Sequence, residues 1–226
     1  YADPSVVADP AIPGRLGLAY SWPHVIAGQN PQGDTVQMAA VQNRLARSDN
    51  FGQTWSFTQV LWPDVAVADP EGSGENGRIS SETASLAKMT VGGITTWYGA
   101  HLRYFLRPQT GYNPKYGTSW VVRIGSAATP AALANAAETV LGVSTTAAAY
   151  QPDVRLDQLA GLPIQHCAIL NNPTLFAEAS TLYLIVECLA FVGPIPDYAN
   201  TTTQVFATDP VGAPASWTWR YAGMLG

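Results

Sequence analysis

The chain has 226 residues, of which 47% are hydrophobic and only 12% charged, with a formal net charge of −5. That charged share is about half the usual one, so the chain can bury a large core and is not a disordered polymer. Its 11 dispersed Lys and Arg against 16 Asp and Glu exclude nucleic acid and argue against a membrane surface as partners, and no apolar run reaches the roughly 18 residues of a membrane-spanning helix.

The first residue is Tyr1 rather than Met, and it falls inside what reads as a repeat unit, which predicts a processed or trimmed chain. Few lysines, many Trp and Tyr, and long Thr/Gly/Pro loops predict a secreted or periplasmic protein. Three segments then share one grammar. Each has a small polar or acidic residue, Pro or Thr, an apolar stretch, a turn and a longer apolar strand. The first reads Asp3-Pro4-Ser5-Val6-Val7, a turn at Pro13-Gly14, then residues 15–20. The second reads Glu82-Thr83-Ala84-Ser85-Leu86, a turn at Gly92-Gly93, then residues 96–105. The third reads Asn172-Pro173-Thr174-Leu175-Phe176, a turn at Ala179-Ser180, then residues 181–188. Each is a β-hairpin by its β-branched and aromatic content and its turn chemistry.

Two further strands follow each hairpin, at residues 36–47 and 54–61, at 119–124 and 139–141, and at 203–207 and 217–221. Three units of four short antiparallel strands predict an all-β protein of three β-propeller blades, at residues 1–63, 79–145 and 164–226. Three blades do not close a ring. The expectation is part of a five- or six-bladed propeller, completed by a remainder of the protein or by self-association. One helix is expected over residues 130–141, with Thr129 as N-cap and Pro130 at its first position. Residues 64–78 read as an inter-blade loop. Cys167 and Cys188 read as two buried thiols in preference to a bridge.

Between the last two strands of the first unit lies Ser48-Asp49-Asn50-Phe51-Gly52-Gln53-Thr54-Trp55. This octapeptide resembles the Asp-box of sialidase-like propellers, with Ser48, Gly52, Thr54 and Trp55 in register and Asn50 where the family has Asp. Asn accepts the same backbone hydrogen bonds in a tight turn, Gly52 permits positive φ, and Trp55 is expected to be buried as an anchor. The resemblance implies a propeller; the turn itself is structural and sits on the rim. Sialidases also use an arginine triad, a Tyr/Glu nucleophile pair and an Asp acid/base. The Arg-Ile-Pro start of those enzymes does not occur here, and no arginine falls in a triad pattern.

First strands of propeller blades line the central channel, so Asp3, Glu82 and Asn172, which lead the three hairpins, are expected at equivalent positions in one funnel. Two carboxylates brought together from separate blades are what glycoside hydrolysis needs, which makes Asp3 and Glu82 the candidate catalytic pair and Asn172 a substrate-binding candidate. The competing reading is that Asp-Pro and Asn-Pro merely start strands. His101 and Arg103 share one strand face and are further substrate-binding candidates, with plain solvent exposure as the alternative. Glu187 interrupts an apolar strand and reads as its outward face in preference to a Tyr/Glu-like functional residue. His24 and His166 have no companions for a metal site, so no metal or cofactor is implied. Trp22, Trp62, Trp97, Tyr98, Tyr112 and Tyr116 offer surfaces for sugars, or anchors between blades. The expected function is a sialidase-like glycoside hydrolase acting on extracellular glycans; the alternative is a non-catalytic propeller that binds glycan or protein.

Overall fold

The computed structural model describes residues 2–9, 11–117, 119–141, 143–144, 154–155, 167–193 and 195–225. Three antiparallel sheets form three propeller blades. The first pairs β1 (Ala2–Ala8), β2 (Leu16–Gln29), β3 (Thr35–Ser48) and β4 (Ser56–Trp62) in sequence order. The second contains β5 (Val65–Ala68), β6 (Asn76–Val91), β7 (Ile94–Leu106), β8 (Pro114–Lys115), β9 (Val121–Ala127) and β10 (Glu138–Leu141), in the order β10-β9-β7-β6-β5 with β8 on β7. A small pair, β11 (Val143–Ser144) and β12 (Val154–Arg155), precedes the third blade. That blade runs β13 (Ile169–Glu178), β14 (Thr181–Val192), β15 (Ile195–Thr208), β16 (Arg220–Leu225).

The inner strands β1, β6 and β13 carry one shared irregularity. Register jumps from Ala2 to Ser5, from Glu82 to Ser85 and from Asn171 to Thr174, so two inner residues oppose one on the neighbouring strand. Each bulge begins with a non-glycine residue at positive φ: Asp3 (50°), Thr83 (52°) and Asn172 (46°). Asp and Asn tolerate that region, whereas a β-branched Thr is strained there. The bulges correct the expected alignment by one residue. Asp3 and Asn172 are equivalent to Thr83, and Glu82 corresponds to Ala2 and Asn171.

Bulging frees backbone N–H groups from the ladder, and side chains from the adjacent blade take them up. Ser5 Oγ accepts from the Leu86 N–H and Ser85 Oγ from the Leu175 N–H, both at 2.9 Å. Ser5 and Ser85 hold the same place after the bulge, so one contact recurs at successive blade junctions. Ser21 Oγ likewise accepts from the Thr83 N–H at 2.9 Å.

Packing fills the same junctions. Ala19, Leu45, Leu61 and Trp62 of the first blade meet Ala84, Leu86, Trp97 and Leu133 of the second. On the other side, Ala100, Leu102 and Tyr104 meet Leu182, Leu184, Val186 and Phe206 of the third. The second blade is therefore covered on both faces, which is why β7 is buried over most of its length, His101 included, instead of alternating between buried and exposed residues. In β14 the stretch Thr181–Glu187 alternates between buried and half-buried residues.

Three local expectations are corrected. Residues 130–141 do not form one helix: Thr129 Oγ1 caps a short 3-10 turn, Ala131–Asn135, and Glu138–Leu141 then pair with β9. The β-branched Thr139 and Val140 suit the ladder, and Leu133 is buried between blades. The stretch 64–78 contains β5 and a buried ion cluster, with Lys115 Nζ 2.5 Å from Asp69 Oδ2 and 3.0 Å from Glu71 Oε2. Cys167, just ahead of β13, and Cys188 of β14 are joined in a disulfide, their Cα atoms 5.0 Å apart.

Two stability measurements follow. Burial disfavours the Asp69 carboxylate, but hydrogen bonds from Lys115, Ser73 and the Glu71 backbone outweigh it and hold its pKa at about 2. A depressed carboxylate pKa stabilises the fold above the ordinary value near 4, and that contribution disappears as pH falls toward 2. Urea midpoints should drop steeply across that window, and Lys115→Met should flatten the drop while costing ~3 kcal/mol at pH 7. Ser85→Ala leaves the Leu175 N–H without its acceptor and should cost ~1–2 kcal/mol by the same assay; an unchanged midpoint would remove the inter-blade contact from the account.

Candidate functional site

Beyond the starts of the inner strands the outer hairpins continue. Ala2 pairs with Ser21, but β2 and β3 stay paired out to Gln29 and Thr35; β14 and β15 run on to Val192 and Ile195. Between them rises the loop from Arg107 to Trp120, attached to the first blade where Gly111 exchanges backbone hydrogen bonds with Ala39 and Gln37 at 2.9 and 3.0 Å. These three walls surround the end of the axis where the bulges lie. A hollow of about 350 Å³ there is lined by Asp3-Pro4-Ser5, Thr83-Ala84-Ser85 and Asn172-Pro173-Thr174.

Glu82 sits immediately before the second bulge. Tyr112 Oη donates to Glu82 Oε1 at 3.3 Å, and the hydroxyl of fully buried Tyr104 lies beside the same carboxyl. Burial pushes the Glu82 pKa up and the Asp3 charge adds to that, while the two phenols pull the other way. The net direction is upward, so Glu82 holds its proton to higher pH than an ordinary glutamic acid. Asp3 is exposed and accepts from Ser21 Oγ at 3.2 Å; Ser21 in turn is bonded to buried Asn43. The bulge thus brings Asp3 and Glu82 into electrostatic contact from adjacent blades.

Asn172 has a different companion. Its Nδ2 donates to Glu187 Oε2 at 2.8 Å, and Asn171 Nδ2 donates to the same oxygen at 3.1 Å. Glu187 pairs with Asn171 at the third bulge, so the carboxylate read as a strand's outward face stands at the level of Asp3 and Glu82. Each blade contributes one acid there.

His101 and Arg103 alternate with Leu102 and Tyr104 along β7 and so face away from Tyr104. His101 is buried, not exposed; its ring stacks on Trp62 with centroids 4.2 Å apart, and Nε2 lies 3.0 Å from Glu138 Oε1. Burial pushes the His101 pKa down against the pull of Glu138. Arg123 reaches the other Glu138 oxygen at 3.3 Å, and Arg103 is half-buried on that face. The structure brings these two residues together with Glu138 and Arg123 at the junction with the first blade, not with Tyr112 and Glu82.

The turn at residues 48–55 takes the expected form between β3 and β4. Ser48 Oγ accepts from the Gly52 N–H and Asn50 Oδ1 from the Thr54 N–H, both at 2.9 Å, and Gly52 has φ of 83°. Trp55 departs from expectation, being 37% exposed. It packs over Gly52 and lines an apolar hollow with Pro4, Leu18, Tyr20 and Phe57, on a face of the first blade that no described sheet covers.

Among the aromatics, Trp62, Trp97 and Tyr98 are inter-blade anchors, while Tyr112 and Tyr116 stand by Glu82. Tyr104, Phe191 and Tyr198 join them without having been singled out in the sequence, where buried and functional aromatics look alike. Among the described residues no group of His, Cys, Asp and Glu is arranged to hold a metal ion; His24 lies 3.5 Å from Asp64, and His166 is outside the described residues. No helix of the described residues is long and apolar enough to cross a membrane.

No protein-family model and no curated protein sequence matches the chain. Among solved structures it is similar to a family 117 glycoside hydrolase of the marine bacterium Zobellia galactanivorans, with TM-score 0.51 and 12% identity over 97% of this chain and 54% of that one. An arabinoxylan arabinofuranohydrolase of glycoside hydrolase family 43 from Bacillus subtilis aligns with TM-score 0.45 and 15% identity over 98% of this chain and 41% of that one. An exo-1,5-α-L-arabinanase from a bovine ruminal metagenomic library aligns with TM-score 0.33 and 12% identity over 98% of this chain and 78% of that one. The chain spans about half the length of the first two structures. The first likeness agrees with the blades described above: the fold is a β-propeller.

Proposed function

We propose that this chain carries catalytic residues of a sialidase-like, Asp-box glycoside hydrolase acting on extracellular glycans. The observation that supports this most is Glu82, a carboxyl at the axis with its pKa raised by burial and by Asp3, and hydrogen-bonded by Tyr112. A carboxyl that holds its proton to higher pH than an ordinary glutamic acid can donate it to the glycosidic oxygen as the sugar–oxygen bond breaks. Asp3, exposed and oriented by Ser21, supplies the second carboxylate, as base toward water or as nucleophile toward the anomeric carbon. Glu187, steadied by two asparagine amides, is a third acid at the same level. The 48–55 turn supports the Asp-box kinship, and the disulfide fits an oxidising, exported setting.

Glu82→Gln keeps the shape and the acceptor for Tyr112, so its melting temperature should stay close to that of the parent protein. Release of reducing sugar from a glycan it hydrolyses should fall at least ~100-fold. Because the acid works protonated, the alkaline limb of the wild-type rate profile should lie above the ordinary glutamate value, and Asp3→Asn should lower that limb as well as the rate. A Glu82→Gln variant of undiminished rate would end the assignment. Glycan binding with no hydrolysis by the parent protein would establish the non-catalytic binder instead.

A further inference from the structure

We infer that Tyr112, Tyr116, Phe191 and Tyr198 form a stacking subsite for a sugar ring next to Glu82, with Tyr112 joining the subsite to the acid. The inference rests on the glycan reading above and concerns where the ligand is held. Ring contacts run unbroken from one blade to the next. Tyr112 meets Tyr104 at 6.1 Å between centroids, Tyr104 stacks on Trp120 at 4.8 Å, Trp120 meets Tyr116 at 4.7 Å, and Tyr116 meets Phe191 edge-on at 5.2 Å. Tyr104 and Trp120 are buried and form the rigid back of this row, whereas Tyr112 is 48% and Tyr198 73% exposed.

Tyr198 is presented by a built feature of the third blade. Between the pairs Cys188↔Thr202 and Ala190↔Asp197 the β15 strand carries extra residues that bulge out of the ladder. Asp197 fixes that bulge, accepting from the Ala199 N–H at 3.2 Å and Asn200 Nδ2 at 2.7 Å, while its carbonyl accepts from Thr201 Oγ1 at 3.0 Å. Phe191 lies on the same hairpin, and the Tyr198 hydroxyl is near enough to Tyr116 to help raise its pKa after burial.

An exposed aromatic on a braced bulge, close to the half-buried ring of Tyr116, has the form of a site for a flat, partly apolar ligand. The C–H face of a sugar ring matches aromatic faces, while its hydroxyls meet the phenols. Tyr112 is bifunctional in this arrangement: its ring faces the ligand and its hydroxyl holds Glu82, which places the glycosidic oxygen of a stacked sugar beside the acid. The groups facing Glu82 are Tyr104, Tyr112, Asp3 and, more remotely, Tyr116.

Isothermal titration with neutral arabino-, xylo- and cello-oligosaccharides of two to six units tests the subsite. For the oligosaccharide that binds best, Tyr198→Ala and Tyr112→Ala should each weaken binding about tenfold, the value of one lost ring contact. Tyr112→Phe keeps the ring and should hold affinity within about twofold, while moving the Glu82 titration, followed by carboxyl ¹³C NMR, upward by loss of a donor. Full affinity in both alanine variants would place the sugar elsewhere and leave the glycan reading standing. Failure of the wild-type protein to bind any of the three series would overturn this inference.

Discussion

Strands that converge on an axis cannot remain in an uninterrupted ladder and also hand hydrogen bonds to the blade beside them. The structure meets this constraint with the bulges at Asp3, Thr83 and Asn172, where one inner residue adopts positive φ and two oppose one across the strand pair. Almost everything at the axis depends on those three backbone turns. They free the N–H groups that Ser5, Ser21 and Ser85 accept, and they change which face the following residues present. Strain is highest at Thr83, whose hydroxyl bonds the preceding carbonyl at 2.8 Å, and it lies beside the residue with the candidate chemistry, as strain at working sites commonly does.

Two carboxyls of the second blade show how neighbours decide charge. Asp69 and Glu82 are both desolvated, yet the Asp69 pKa goes down and the Glu82 pKa up. The difference is an ammonium. Lys115 sits against Asp69 and Glu71, whereas Glu82 has phenols and the like charge of Asp3 around it. A paired acid becomes a structural ion; an acid beside a second acid becomes a proton carrier. The loop that holds Lys115 against Asp69 also carries Tyr112 to Glu82, so the ion cluster helps to fix the wall of the site.

The strand pattern was legible because a strand's face alternation is local. The hairpins at residues 3–20, 82–105 and 172–188 and the turn at Ser48–Trp55 followed from side-chain alternation and turn chemistry. Local reasoning failed where distant pairing outweighed propensity. The alanine-rich stretch after Thr129 has helical composition, but Thr139 to Leu141 pair with β9 and Leu133 fills an inter-blade gap. Trp55 was expected to be buried as an anchor, but the face it lies on has no described sheet against it. Glu187 looked like a solvent-facing interruption because nothing in the sequence places Asn171 and Asn172 across from it.

By itself, the order of residues determined the all-β class, the threefold repeat of inner hairpins and the candidates Asp3 and Glu82, since each depends on short-range spacing. Tertiary structure alone decided the one-residue offset that makes Thr83, not Glu82, the partner of Asp3 and Asn172. It also decided the pairing of Cys167 with Cys188, the burial of His101 against Trp62, and the meeting of Tyr112 with Glu82 across 30 residues. These are contacts between segments far apart in the chain. A bulge adds one residue without altering composition, and a side chain's pKa depends on which distant neighbours that added residue turns toward it.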